Sequence, residues 1–122
     1  MSDPQSIADS YTALWNEADP ARRRSAIEVL FSPSAEHYTK TRHAKGYPQL
    51  EERVRGSFEK NVGPGTYRFR ATRNAQRIQN AVTFNWEMFP IDEPDKAAAV
   101  GLECLILDDG GKILIDYQFI VQ

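Results

Sequence analysis

Two carboxylates near the C-terminus, Glu103 and Asp116, are the residues whose placement first suggests chemistry. They flank Asp108-Asp109-Gly110-Gly111, inside two apolar, β-branched-rich runs spanning Ala97 to Val121. Asp-Gly between alternating apolar residues is a strong hairpin signal, because a tight primed turn needs positive φ at its centre. A two-residue turn at Asp109-Gly110 sets Leu107 opposite Lys112, Leu105 opposite Leu114, Glu103 opposite Asp116 and Gly101 opposite Gln118. Directly opposed residues have Cβ atoms roughly 5 Å apart. Two carboxyls this close, if shielded from water, do not both ionise readily, and one holds its proton to higher pH. Such a group is a general acid or a neutral hydrogen-bond donor. On a solvated face the same pair is only two surface charges. The opposite face pairs Val100, Leu102, Cys104 and Ile106 with Phe119, Tyr117, Ile115 and Ile113. It is wholly apolar and, taken alone, reads as core.

Tyr11 is the next candidate. It sits in an apolar helix stripe, where a tyrosine either fills the core or points its hydroxyl into a cavity to stabilise an oxyanion. Phe84, Trp86, Met88 and Phe69 form an aromatic wall that serves equally as core or as pocket. Arg73, placed opposite Trp86, either stacks on the indole or clamps an anionic group at a pocket rim. His37 and His43 have no metal-ligand spacing and no Cys or carboxylate set around them, so no metal site is expected. Their simplest roles are strand packing and a loop position. No phosphate loop, dinucleotide fingerprint or nucleophile elbow is present, and no cofactor is expected.

The elements that must position these residues are readable in order. Asp3-Pro4 and Asp19-Pro20 each pair an N-cap with a proline suited to the first helical position. Ile7, Tyr11, Leu14, Trp15 and Ala18 stripe the first helix, and Ala26, Ile27, Leu30 and Phe31 the second, which Ser32-Pro33 ends. Arg22-Arg23-Arg24 reads as a solvated face. Glu36 to Thr39 reads as a short strand, Thr41 to Gly46 as a polar loop. Tyr47-Pro48 starts a third helix with Leu50, Val54 and Phe58, broken at Asn61 to Gly65. From Tyr67 the period becomes two. A turn at Gln79-Asn80 puts Ala75 opposite Phe84, Arg73 opposite Trp86 and Ala71 opposite Met88, unless a bulge near Asn74 shifts the register. Helices followed by strands indicate an α+β fold, with helices on one face of an antiparallel sheet.

The 122 residues suit one domain, residues 1–122, and 41% apolar with 26% charged residues suits a globular chain. A net charge of −2 offers nothing to nucleic acid or an anionic membrane. One cysteine excludes an internal disulfide. With no membrane span and no hydrophobic signal region, a cytoplasmic location is expected.

Several motifs together resemble the nuclear transport factor 2-like superfamily, in the SnoaL-like branch related to polyketide cyclases and ketosteroid isomerases. They are Tyr11-x-x-x-Trp15-Asn16-x-x-Asp19-Pro20, Leu30-Phe31-x-Pro33-x-Ala35-x-x-Tyr38, Gly46, Phe84-x-Trp86-Glu87 and Leu107-Asp108-x-x-Gly111-Lys112-Ile113. The resemblance implies a cone-shaped, curved antiparallel sheet wrapped around the three N-terminal helices, with a pocket between them. It also implies a homodimer through the outer sheet face. It reverses the two faces of the last hairpin: the apolar face becomes the dimer face, and Glu103 with Asp116 looks into the pocket. Tyr11 and Glu103 fall on the oxyanion-hole positions of ketosteroid isomerases, with Glu in place of Asp. The base position falls on Thr39, which cannot remove a carbon-bound proton unaided, so steroid-type isomerisation is not expected. Asp116 or His37 would have to act as base from another wall. Arg73 with Asp116 and Glu103 only loosely echoes the trio of the epoxide-hydrolase members.

The resemblance thus makes Glu103, Asp116 and Tyr11 the catalytic candidates. Trp15, His37, Phe69, Arg73 and Phe84 are expected around the ligand, with Trp86, Met88, Gln118 and Ile120. The expected function is binding of a small, mostly apolar molecule, with cyclase-, isomerase- or hydratase-type acid–base chemistry. The alternative is a non-catalytic ligand-binding or interaction module of the same fold.

Overall fold

The computed structural model describes residues 3–121. Helix α1 (Pro4–Asn16) opens on Asp3, whose carboxylate accepts from the Ser6 amide at 3.0 Å. Helix α2 (Pro20–Leu30) opens the same way, Asp19 accepting from Arg22 N at 3.0 Å. In each, proline occupies the first turn, where its missing N–H costs nothing. Strand β1 (Phe31–Tyr38) follows α2 at once and is longer than expected. A short β2 (His43–Lys45) lies where the sequence suggested loop. Helix α3 (Gly46–Ser57) continues into a π-helical turn, Phe58–Val62. Strands β3 (Tyr67–Ala71), β4 (Gln76–Ile78), β5 (Ala81–Pro90), β6 (Ala99–Leu107) and β7 (Ile113–Ile120) complete the chain.

The strands form one curved sheet in the order β2-β1-β7-β6-β5-β3, with β4 also on β5. The sheet is mixed, which corrects the antiparallel expectation: β1 runs parallel to β7. The whole intervening chain separates these two strands, so no tight turn imposes an antiparallel pairing. The apolar stripe of α1 packs on the concave face. Ile7, Ala8, Tyr11, Leu14 and Trp15 join Val82, Phe84, Trp86, Leu105 and Leu107 in the core.

The last hairpin differs in register from the expectation. Gly111 N–H donates to the Asp108 carbonyl at 3.0 Å, and Gly111, not Asp109 or Gly110, takes the left-handed conformation (φ 87°). Asp108 Oδ1 holds the Lys112 amide at 2.9 Å. This wider turn shifts the pairing by one residue at Leu107–Ile113, and a bulge at Leu114 shifts it by one more, so Glu103 faces Gln118 and Asp116 faces Leu105. A shift of two preserves the side each residue faces. Glu103 and Asp116 therefore share the inner face without being directly opposed. The bulge, where Ile106 faces Ile115 but Leu107 faces Ile113, turns Ile113 inward. Ile113 is buried in the core rather than on the outer face.

One basic residue also departs from expectation. Arg23 is buried rather than solvated: it donates to the Glu17 carbonyl at 2.9 Å and lies over the Phe58 ring. Among the described residues no helix is long and apolar enough to cross a membrane.

Candidate functional site

Five side chains from five elements meet beneath the concave face. Tyr11 comes from α1, His37 from β1, Trp86 from β5, Glu103 from β6 and Asp116 from β7. Glu103 and Asp116 are both fully buried. Tyr11 Oη lies 3.1 Å from Glu103 Oε2 and 2.6 Å from Asp116 Oδ2. Trp86 Nε1–H donates to Glu103 Oε1 at 2.8 Å. His37 Nδ1 stands 2.8 Å from Asp116 Oδ2, and the two residues are register partners across the parallel β1–β7 pair.

The protons can be assigned from these contacts. Burial, and then the Asp116 charge, push Glu103 well above the ordinary carboxylate range, so it keeps its proton. Burial alone would raise Asp116 too. The His37 ring and the hydrogen bonds it receives outweigh that and hold Asp116 below its usual value. An ionised carboxylate only accepts, so His37 Nδ1 carries a hydrogen. Tyr11 has one phenolic hydrogen, and it goes to Asp116. Glu103 then donates to Tyr11 Oη. Burial, and then the Asp116 charge, raise the Tyr11 phenol well above its ordinary value and keep it neutral. The chain of bonds runs Trp86, Glu103, Tyr11, Asp116, with His37 closing the far end. Two carboxyls with pKa values pushed apart are the usual signature of divided acid and base roles.

Trp86 reaches Glu103 because of its neighbour. Gly101 is the β6 partner of Trp86, and the indole lies flat across it. A Cβ at Gly101 would stand 2.0 Å from Trp86 Cε2, so only glycine admits this pose.

Above the network lies a cavity of about 810 Å³. Tyr11, Trp15, Phe69, Trp86, Met88 and Ala99 make its apolar walls. Thr12, Thr39, Ser57, Asn61 and Gln118 add polar groups, and Ile120 lies at the edge formed by β7. Lys40, Arg42, Arg53 and Lys60 also border it. No Asp, Glu or His is among the bordering residues that the structure describes.

The expected site residues therefore divide. Tyr11, Trp15, Phe69, Trp86, Met88, Gln118 and Ile120 border the cavity. Glu103, Asp116, His37 and Phe84 do not: they are buried behind that wall. Phe84 packs edge-on against Tyr11, and His37 contacts Trp15 and Asp116. Asp116 is fully buried and does not border the cavity; Tyr11, which does, is hydrogen-bonded to it. Thr39 borders the cavity but spends its hydroxyl on the Arg42 amide at 3.0 Å, bracing the β1–β2 loop. Arg73 is misplaced by the sequence register. The β4–β5 tip pairs as expected, Ile78 with Ala81 across the Gln79-Asn80 turn. The chain then slips by two at residues 72–75, so Ala71, not Arg73, faces Trp86. Arg73 is exposed and ion-paired with Asp9.

Arg53 escaped the sequence reading. Its signal was its place: Leu50, Arg53, Val54 and Ser57 follow the i, i+3, i+4, i+7 pattern of a buried stripe. Its Cζ lies 4.9 Å from the Trp15 ring centroid. Burial, and then the neighbouring Arg42, lower its pKa from the ordinary arginine value. Among the described residues no three or more His, Cys, Asp or Glu side chains could hold a metal ion.

No family model and no curated protein matches the sequence. Solved structures do match in shape. A candidate isomerase of the SnoaL-like family from Agrobacterium tumefaciens superposes with a TM-score of 0.89 at 24% identity, over 100% of both chains. A protein with a ketosteroid isomerase-like fold from Catenulispora acidiphila, solved with trimethylamine, gives 0.66 at 16% identity, over 95% of this chain and 85% of that one. An NTF2-like protein of unknown function from Cytophaga hutchinsonii gives 0.64 at 11% identity, over 99% and 92%. The chain has the nuclear transport factor 2-like fold that these structures share.

Proposed function

We propose that the chain binds a small, mostly apolar molecule in the cavity between α1, α3 and the concave sheet face. The observation that carries this reading is the cavity: its volume is of the size that encloses a small ligand, and its walls are aromatic with a few convergent polar groups. Trp15 and Trp86 both border it, so ligand entry should change the intrinsic fluorescence. The test is titration with an uncharged naphthyl compound. Saturable fluorescence change supports the reading, and no change up to millimolar concentration removes it.

The buried network favours a second reading, acid-assisted chemistry of the cyclase, isomerase or hydratase type. Tyr11 borders the cavity, and its hydroxyl sits between a retained proton on Glu103 and a charge on Asp116. A ligand oxygen would take the Tyr11 hydrogen only by turning it away from Asp116, which His37 would still hold, while Glu103 went on donating to Tyr11 Oη. Among the described residues no carboxylate or imidazole borders the cavity to remove a carbon-bound proton, so this version is one of donating a proton or hydrogen bond. Its test is a phenolate or enolate analogue. Glu103→Gln, Tyr11→Phe and Asp116→Asn should each weaken its binding, and wild-type affinity in all three would rule the network out as a site.

The same reading includes a homodimer through the outer sheet face. Tyr117 and Phe119, which also reach the cavity edge, are exposed there, near half-buried Val100, Leu102 and Cys104. A monomeric mass in light scattering at micromolar concentration would exclude it.

A further inference from the structure

We propose that the ligand of this cavity is an amphipathic anion, an apolar body bearing one carboxylate or similar head group, and that Arg53 is its anchor. The inference rests on the reading of the cavity as a ligand site and adds the ligand's charge and orientation.

The sign of the walls is the first observation. Lys40, Arg42, Arg53 and Lys60 all border the cavity, and no acidic side chain among the described residues does. This is a local property, because the chain as a whole carries a net charge of −2. Cations that merely solubilise a surface are interspersed with carboxylates. Here a concave, partly apolar surface carries one sign only, which concentrates anions within it.

The second observation is Arg53 itself. It makes no ion pair among the described residues, and its Nε is buried with no acceptor on the protein. Trp15 Nε1 is likewise buried without an acceptor. The two side chains are stacked on each other, so the unused donors occur together on one wall. Arg53 borders the cavity and makes no hydrogen bond or ion pair among the described residues, so its guanidinium is free for an acceptor that enters the cavity. Arg23, also buried, differs in that its guanidinium holds the Glu17 carbonyl and faces Glu51 at 4.0 Å, although its Nε too has no partner. Arg53 has instead a like-charged neighbour in Arg42. A carboxylate offers a guanidinium two acceptors in a matching plane. Phe69, Trp86 and Met88 supply apolar wall for the rest of the molecule.

The experiment compares two fluorescent probes of the same shape, 8-anilinonaphthalene-1-sulfonate and its uncharged counterpart N-phenyl-1-naphthylamine. The wild type should bind the anionic probe about tenfold more tightly or better, the scale of one charge-assisted hydrogen bond. The preference should collapse in Arg53→Gln and shrink with added salt. Gly56→Phe locates the binding: Gly56 borders the cavity, and a Cβ there meets nothing within 4 Å, so the ring can occupy the mouth and should weaken both probes. Equal affinity of wild type for the two probes overturns the anionic ligand. An anion preference unchanged in Arg53→Gln overturns Arg53 as its anchor. Either result leaves the cavity reading standing, as long as the neutral probe binds and Gly56→Phe weakens it. If neither probe binds the wild type, or Gly56→Phe leaves both bound, the cavity reading fails and this inference with it.

Discussion

Replacing Glu103 by Gln should make the protein more stable at neutral pH relative to wild type, and the gain should grow with pH. Gln keeps the shape of the protonated acid. Its Oε1 can accept from Trp86, and its amide N–H can donate to Tyr11 where the acid O–H does. At acid pH the two proteins should therefore differ by less than about 0.5 kcal/mol. The difference arises because Glu103 in the folded state keeps a proton that the unfolded chain releases. Its folded pKa lies well above the ordinary glutamate value of 4.5. Folding then takes up a proton, and stability falls as pH rises from that value toward the raised one. The contribution is fully present below the unfolded pKa and gone above the folded one. Within the window the slope is about 1.4 kcal/mol per pH unit for one proton. For a chain of this length that is roughly 5 °C of melting temperature per pH unit. Asp116 does not blur the window, because its lowered pKa puts its own loss of stability below its ordinary value of 3.8, as pH falls. Thermal melts of both proteins at half-unit steps between pH 4 and 8, followed by circular dichroism, measure the difference directly. Parallel curves across that range would refute the retained proton, and with it the assignment of donor roles in the network.

Four further outcomes follow from the same geometry. Arg53→Met keeps the stem on Trp15 but removes an unpaired, partly buried charge, so the ligand-free protein should gain about 1 kcal/mol in urea unfolding; a loss of stability would make Arg53 structural. Gly101→Ala should cost about 1–3 kcal/mol and shift the Trp86 fluorescence, since the Cβ and indole cannot both stay where they are; an unchanged spectrum would mean the indole is not on β6. Asp116→Ala leaves the buried His37 and Tyr11 donors without their shared acceptor and should destabilise by about 3–5 kcal/mol, each unsatisfied buried group costing about 1–3 kcal/mol. Phe119→Asp should lower the apparent mass in light scattering if the outer face joins two copies, whereas an equal mass for variant and wild type would separate that residue from any interface.

Local physics made most of the fold legible. Both Asp-Pro helix starts bind the amides they were expected to bind, because capping depends only on neighbours in sequence. The face shared by Glu103 and Asp116 was also legible, because the turn and the bulge together shift the register by an even number of residues and side-chain alternation survives it. The Arg73 slip was even too, yet it mattered, because that position lies where β3 has already ended and the chain has left the sheet. The partner of Asp116 was illegible. His37 reaches it through a parallel register between strands 79 residues apart, and nothing local to either strand encodes that pairing. Arg53 was hidden differently: a charged residue in an apolar stripe looks like an interruption until the stripe is seen to face a cavity.

The two charged features act together on any ligand. Asp116 carries a charge under the floor, and it is among the groups that act electrostatically on Arg53. In a low-dielectric cavity such charges are felt over several ångströms. An anionic head group is drawn to Arg53 and the cationic rim, and is repelled from the Asp116 side. The apolar body is then left against Trp86, Phe69 and Met88, which border the same cavity as Tyr11. A neutral oxygen reaching Tyr11 meets a phenol backed by the Glu103 proton, while a second anion there would meet the Asp116 charge. The cavity should therefore prefer monoanions over dianions of equal length. A dicarboxylate binding more tightly than the matching monocarboxylate, in the same fluorescence titration, would contradict the polarity assigned to the floor.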